Sequence, residues 1–120
     1  MKFLKNTLLI LFIAVSSLSI SSIAVAGANE TAVDNVSAKV AETIHAIDAN
    51  AAQEEVVDLI RQASDLVKEM ALSDALDVRR QRANSHLKQA RTAANTGGLT
   101  SAKEHLEQAA QGLADLRKLL

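Results

Sequence analysis

The chain has 120 residues, 48% of them hydrophobic, a formal net charge of −1, and no Cys, Pro, Trp or Tyr. Without cysteine there is no disulfide, no thiolate metal site, no covalent haem attachment and no cysteine nucleophile. The only aromatic residues, Phe3 and Phe12, lie at the extreme N-terminus, so the rest of the chain offers no platform for stacking bases or sugars.

Residues 1–26 read as a secretory signal peptide. Lys2 and Lys5 form a short positive region, Leu8 to Val15 form an apolar run, and Ala24-Val25-Ala26 supplies the small-x-small pattern of a cleavage site. The alternative is a retained membrane anchor. The apolar run is shorter than the roughly 20 residues a spanning helix needs, and five serines dilute residues 16–22, so no stable span is expected after cleavage. Cleavage after Ala26 would leave 94 residues with 11 bases against 14 acids and no aromatic side chain. The expected destination is the periplasm, where disulfides are permitted. A chain without cysteine must reach its stability there by packing alone.

Residues 27–120 form one expected domain of four helices. No proline interrupts it, and strong helix formers dominate. Apolar residues recur at helical spacing in four stretches. The first carries Val33, Val36, Val40, Ile44 and Ile47. The second carries Val56, Leu59, Ile60, Ala63, Leu66, Val67 and Met70. The third is sparser, with Leu76, Ala83, Leu87, Ala90 and Ala94. The fourth runs Leu99, Ala102, Leu106, Ala109, Leu113, Leu116 and Leu120 in unbroken steps of three and four.

Capping signals divide the stretches. Asn50 with Gln53 predicts a capping box opening the second helix, and Ser101 with Glu104 predicts another in the fourth. Ser73 is the expected cap of the third, with Asp74 and Asp77 in its positive first turn. Gly97-Gly98 is the strongest break, because glycine accepts the left-handed backbone of a helix C-terminus. Short connections make neighbouring helices antiparallel, which predicts an all-α, up-down-up-down four-helix bundle of two hairpins. A core built from so much alanine buries little area per residue, and a homodimer would bury more. A match between residues 59–67 and 105–113 at an offset of 46 fits either a duplicated hairpin or two similar amphipathic helices.

The modest net charge hides a division. Residues 27–77 hold eleven acids and three bases, a net of −8, whereas residues 78–120 hold three acids and eight bases, a net of +5. The structural reading is an acidic hairpin docked on a basic one. The functional reading is a surface for an anionic partner on Arg79, Arg80, Arg82, Lys88 and Arg91. Export, net negative charge and the lack of stacking residues argue against nucleic acid.

Chemistry is left to His45, His86 and His105. Each precedes or follows a core residue, which places it at the edge of an apolar stripe, and the expected topology puts all three toward one end of the bundle. Glu42-x-x-His45 has the i, i+3 spacing of di-iron bundles, but Ala102 and Ala83 stand three before His105 and His86, so the second pair is missing. Ser85 and His86 are adjacent on a helix and point about 100° apart, unsuited to a nucleophile–base pair. Gly97-Gly98 is not followed by Lys-Ser/Thr, so there is no phosphate loop. An enzyme is not expected.

The stretch from His86-Leu87-Lys88-Gln89-Ala90 through Thr96-Gly97-Gly98 to Lys103-Glu104-His105-Leu106 resembles the periplasmic small metal-binding protein family. That resemblance implies an exported, Cys-free four-helix bundle binding copper, nickel or zinc through histidines. Family members are histidine-rich, whereas this chain has three, and Val40 and Leu59 stand where the first hairpin would match. It therefore implies weak metal binding through His45, His86 and His105, with Glu42 and Glu104 as auxiliary carboxylates. A second resemblance, of Ala49-Asn50-Ala51-Ala52-Gln53 and the Gly97 turn, is to the periplasmic b-type cytochrome bundle. Asn35 and Arg117 stand near its haem-ligand positions, so no haem is expected. The competing expectation is a structural or partner-binding envelope protein, chaperone- or adaptor-like, without a metal site.

Overall fold

The computed structural model describes residues 28–120; the expected signal peptide lies outside the described residues. Four helices account for nearly all of them: α1 (Ala28–Asp48), α2 (Gln53–Lys68), α3 (Asp74–Asn95) and α4 (Leu99–Lys118). Each packs mainly on its two neighbours, α1 on α2 and α4, α3 on α2 and α4, so the helices form a closed ring around one core. This is the up-down-up-down bundle that the short connections require.

Most of the periodic apolar residues fill the core, although Leu59 lies outside it and Leu120, at the end of its stripe, is exposed. Val33, Val36 and Val40 of α1, Val56, Ile60, Ala63 and Val67 of α2, Leu87, Ala90 and Ala94 of α3, and Ala102, Leu106, Ala109, Leu113 and Leu116 of α4 have no exposed surface. Thr43 also lies in the core, where its hydroxyl donates to the Lys39 carbonyl one turn back at 2.7 Å. That bond removes the cost of burying a free hydroxyl and lets Thr43 occupy a valine-like position. Between α2 and α3 the nearly buried Ser64 donates to the Asn84 side-chain oxygen at 2.8 Å.

The turns differ from the capping expected. Asn50 does not open α2; it closes α1, with φ of +59°. Its N–H donates to the Ile47 carbonyl and that of Ala51 to the Ala46 carbonyl, the paired bonds of a Schellman motif. Asparagine tolerates the left-handed region better than most residues, and here that property outweighs its value as an N-cap. The residue before α2 is Ala52, with no side-chain cap. Gly97 (φ +84°) closes α3 the same way, Gly97 N–H donating to Ala94 and Gly98 N–H to Ala93. Because α4 begins at Leu99, directly after Gly98, Ser101 lies inside the helix and the expected Ser101–Glu104 box does not form. Ser73 does precede α3 with extended backbone, but its hydroxyl makes no cap bond.

Both turns lie at one end of the bundle, and Gln53 joins them by donating to the Asn95 carbonyl at 2.8 Å. The carbonyl sits in the last turn of α3, which leaves such groups without helical partners. The hairpins also share a register. Buried Val56, Ile60, Ala63, Val67 and Met70 correspond to buried Ala102, Leu106, Ala109, Leu113 and Leu116 at an offset of 46. Buried Val36, Val40 and Thr43, and the turn residue Asn50, correspond to Ala83, Leu87, Ala90 and Gly97 at an offset of 47.

Candidate functional site

The α3–α4 hairpin carries the groups with spare chemistry. Its helices are the most extensively packed neighbouring pair, a consequence of the buried alanines along the seam. Asn84 reaches toward α2, whereas Ala93 lies beside His105 of α4 in a shallow groove shared with Ser85, Lys88, Gln89 and Thr92. His86 stands seven residues before Ala93, two helical turns back on the same stripe, so it too lies on the α4 side. Both imidazoles are half-buried. In each the Nδ1 atom is buried and has no hydrogen-bond partner. A buried ring nitrogen without a partner is uncommon, and two on one seam single out this seam.

The other expected ligands are placed elsewhere. His45 is exposed in the last turn of α1, where a basic residue complements the helix dipole. Glu42 is held by Lys39 at 3.1 Å, and Glu104 is exposed without an ion pair among the described residues. Asp48, three residues beyond His45 and not among the expected ligands, is taken by Lys103 of α4 at 2.8 Å. Among the described residues no group of three or more His, Asp or Glu side chains is arranged to hold one metal ion.

Charge is distributed more selectively than the hairpin totals suggest. Two contacts do join acidic and basic hairpins, and α4 makes both. Lys103 binds Asp48, and Arg117 spans Glu30 and Asp34, each at 3.0 Å. The hydrogen bond from Lys103 to Asp48 raises the ammonium pKa above its usual value, as the bond to Asp34 does for the Arg117 guanidinium. Two further clips are local. Asp58 accepts from Gln62 and Arg61 on α2, and Asp77 from Arg80 and Gln81 on α3, the same Asp-x-x-Arg-Gln spacing twice. These bonds favour the ionised carboxylate and hold both acids below the usual carboxylate range, led by Gln62 for Asp58 and by Arg80 for Asp77.

What remains is α3. Arg79, Arg82, Lys88 and Arg91 are exposed and make no ion pair among the described residues. On a helix with five bases and only two acids, one base is neutralised locally and four face water. The composition of the second half already marked these residues, but not which cations the fold would leave unengaged.

No protein-family model matches this chain, and neither does any curated protein or solved structure. The functional reading therefore rests on the residues of the α3–α4 hairpin themselves.

Proposed function

We propose that this chain is an exported, non-enzymatic helical bundle of the periplasm that works as a binding protein, docking an anionic partner on α3. One observation carries the reading. The cations of α1 and α2 other than Lys68, and of α4 other than Lys118, are engaged by carboxylates, as is Arg80, while four exposed cations along α3 are not. Exposed cations left without carboxylate partners raise the local concentration of an anionic partner and speed its encounter, and salt weakens the effect.

The test is retention of the purified protein on an immobilised polyanion (polyglutamate or polyphosphate) at low salt. Retention should fall steeply when Arg79, Arg82, Lys88 and Arg91 all become Gln, with the helical spectrum unchanged. Equal retention of parent and variant overturns the reading. Export is tested separately by fractionating expressing cells and sequencing the N-terminus of the periplasmic form, which should begin at Gly27.

A second reading is favoured by the two unpartnered Nδ1 atoms: a divalent ion such as Cu, Ni or Zn coordinated by His86 and His105 would give each its missing partner. Titration with each metal should then show uptake that disappears in His86→Ala with His105→Ala and persists in His45→Ala. No uptake tighter than about 100 μM, a binding free energy of about −5.5 kcal/mol, excludes it.

A further inference from the structure

The large exposed apolar side chains among the described residues are Val78, Leu119 and Leu120. Val78 lies four residues into α3, and Leu119 directly follows α4. The hairpin is antiparallel, so the start of α3 and the end of α4 meet at the end of the bundle opposite both Schellman turns. The fold thus gathers at one end side chains 41 and 42 positions apart in the sequence. Val78 and Leu119 each have a cation as a chain neighbour. Arg79 follows Val78 with Arg82 one turn on, and Lys118 precedes Leu119. None of these three cations makes an ion pair among the described residues.

We infer that this end of the α3–α4 hairpin docks on an anionic lipid surface, Val78, Leu119 and Leu120 entering the headgroup layer while Arg79, Arg82 and Lys118 meet lipid phosphates. The inference rests on the anionic-partner reading of α3 and names the partner. Exposed apolar side chains ringed by cations are what an interfacial contact uses, since apolar burial and phosphate attraction act together there. A polyanion in water would engage the cations and leave the apolar side chains exposed; a bilayer surface satisfies both.

The acids near this end set its limits. Asp65, Glu69 and Asp74 belong to the α2–α3 corner, so that corner faces away from the lipid. Asp77 is paired with Arg80, Glu30 and Asp34 on the α1 side share Arg117, and Asp115 accepts from Gln111. The contact is therefore a flank made by α3 and α4 rather than the whole end. It is also superficial, because no helix among the described residues is long and apolar enough to cross a membrane.

Co-sedimentation of the chain, as purified from the exporting cell, with phosphatidylglycerol-containing and pure phosphatidylcholine vesicles tests this. The readout is the difference between the two compositions. Arg79→Gln with Arg82→Gln should lower phosphatidylglycerol-dependent binding ~25-fold, about fivefold per charge. Val78→Ser with Leu119→Ser should lower it at least about tenfold. Lys88→Gln with Arg91→Gln, at the far end of α3, should change it less than about threefold, because those side chains lie beyond the contact. Circular dichroism confirms that every variant is folded.

Comparable loss from the distal pair overturns end-on docking. No preference for phosphatidylglycerol, with polyanion retention intact, overturns the lipid partner and leaves the α3 reading standing. Loss of both defeats both. If Val78→Ser with Leu119→Ser instead abolishes self-association in sedimentation, a second copy covers the patch and the lipid inference falls.

Discussion

In the α1–α2 hairpin the buried positions are mostly β-branched: Val33, Val36, Val40, Thr43, Val56, Ile60 and Val67. In the α3–α4 hairpin they are alanine and leucine, with Ala83, Ala90, Ala94, Ala102 and Ala109 alternating with Leu87, Leu106, Leu113 and Leu116. The backbone plan is shared, yet the two halves use it differently. The β-branched side chains stiffen the first hairpin at some cost in helix propensity. Alanine costs nothing in propensity and brings α3 and α4 close, so side chains one step off the core, His86 and His105, are drawn into the seam. The first hairpin pairs Lys39 and Arg61 within its own helices and Glu30, Asp34 and Asp48 with α4, while four cations of α3 face water. The comparison teaches that scaffold and surface are divided between halves that share a register.

The largest effects should come from equivalent core positions. Ile60→Ala and Leu106→Ala sit 46 residues apart in corresponding sites, both without exposed surface. Each should cost about 2–5 kcal/mol in urea unfolding with coincident transitions by different probes. A second transition in either variant would show that the hairpins unfold separately. Next is overpacking. Ala90→Leu, in the close seam, should destabilise by about 1–3 kcal/mol, while Val40→Leu adds only one methylene and should cost less. Equal costs would mean that alanine is not what sets the α3–α4 spacing.

The turns offer a finer test. Gly97→Ala should cost about 1–2 kcal/mol, because φ of +84° strains an L side chain although nothing stands within 4 Å of the added carbon. Asn50→Gly, at the matching turn, should be neutral or slightly stabilising. Melting temperatures moving in the same direction would show that the turns are not equivalent.

The smallest effect is the acid response of the two clips. Asp58 and Asp77 have depressed pKa values in the folded chain, so their contribution is present above the unfolded value near 3.8 and is lost as pH falls through the folded one. Asp58→Asn with Asp77→Asn should lower the melting temperature at pH 7. The gap from the parent should close toward pH 2. A constant gap would mean that the clips act through packing rather than charge.

Periodicity made the helices and nearly all the core legible, because a 3.6-residue pattern reports directly on which face is buried. It overlooked Thr43, whose hydroxyl is satisfied by its own helix and so behaves as an apolar residue. Caps were less legible. Asn50 and Ser101 are side chains with several local uses, and only the backbone shows that one stands in the left-handed region and the other within a helix. The three histidines were visible, but their placement was not. His45 differs from His86 and His105 because a one-residue change of phase decides between solvent and seam. The Gln53–Asn95 tie, joining residues 42 apart, had no local signal at all.

The two Schellman turns differ by one residue. Gly98 both completes the closure of α3 and starts α4, whereas Ala51 and Ala52 divide those tasks in the first turn. That extra alanine is why the repeat changes from 47 residues to 46 across the turn. Yet the buried positions on both sides of the turns correspond, so the non-helical turn absorbs the extra residue without rotating the helix beyond it. The same one-residue change inside a helix would turn the apolar stripe beyond it by about 100°. Length is therefore the freer variable at this end of the bundle, and the identity of the residue that closes each helix in the left-handed region is the stricter one.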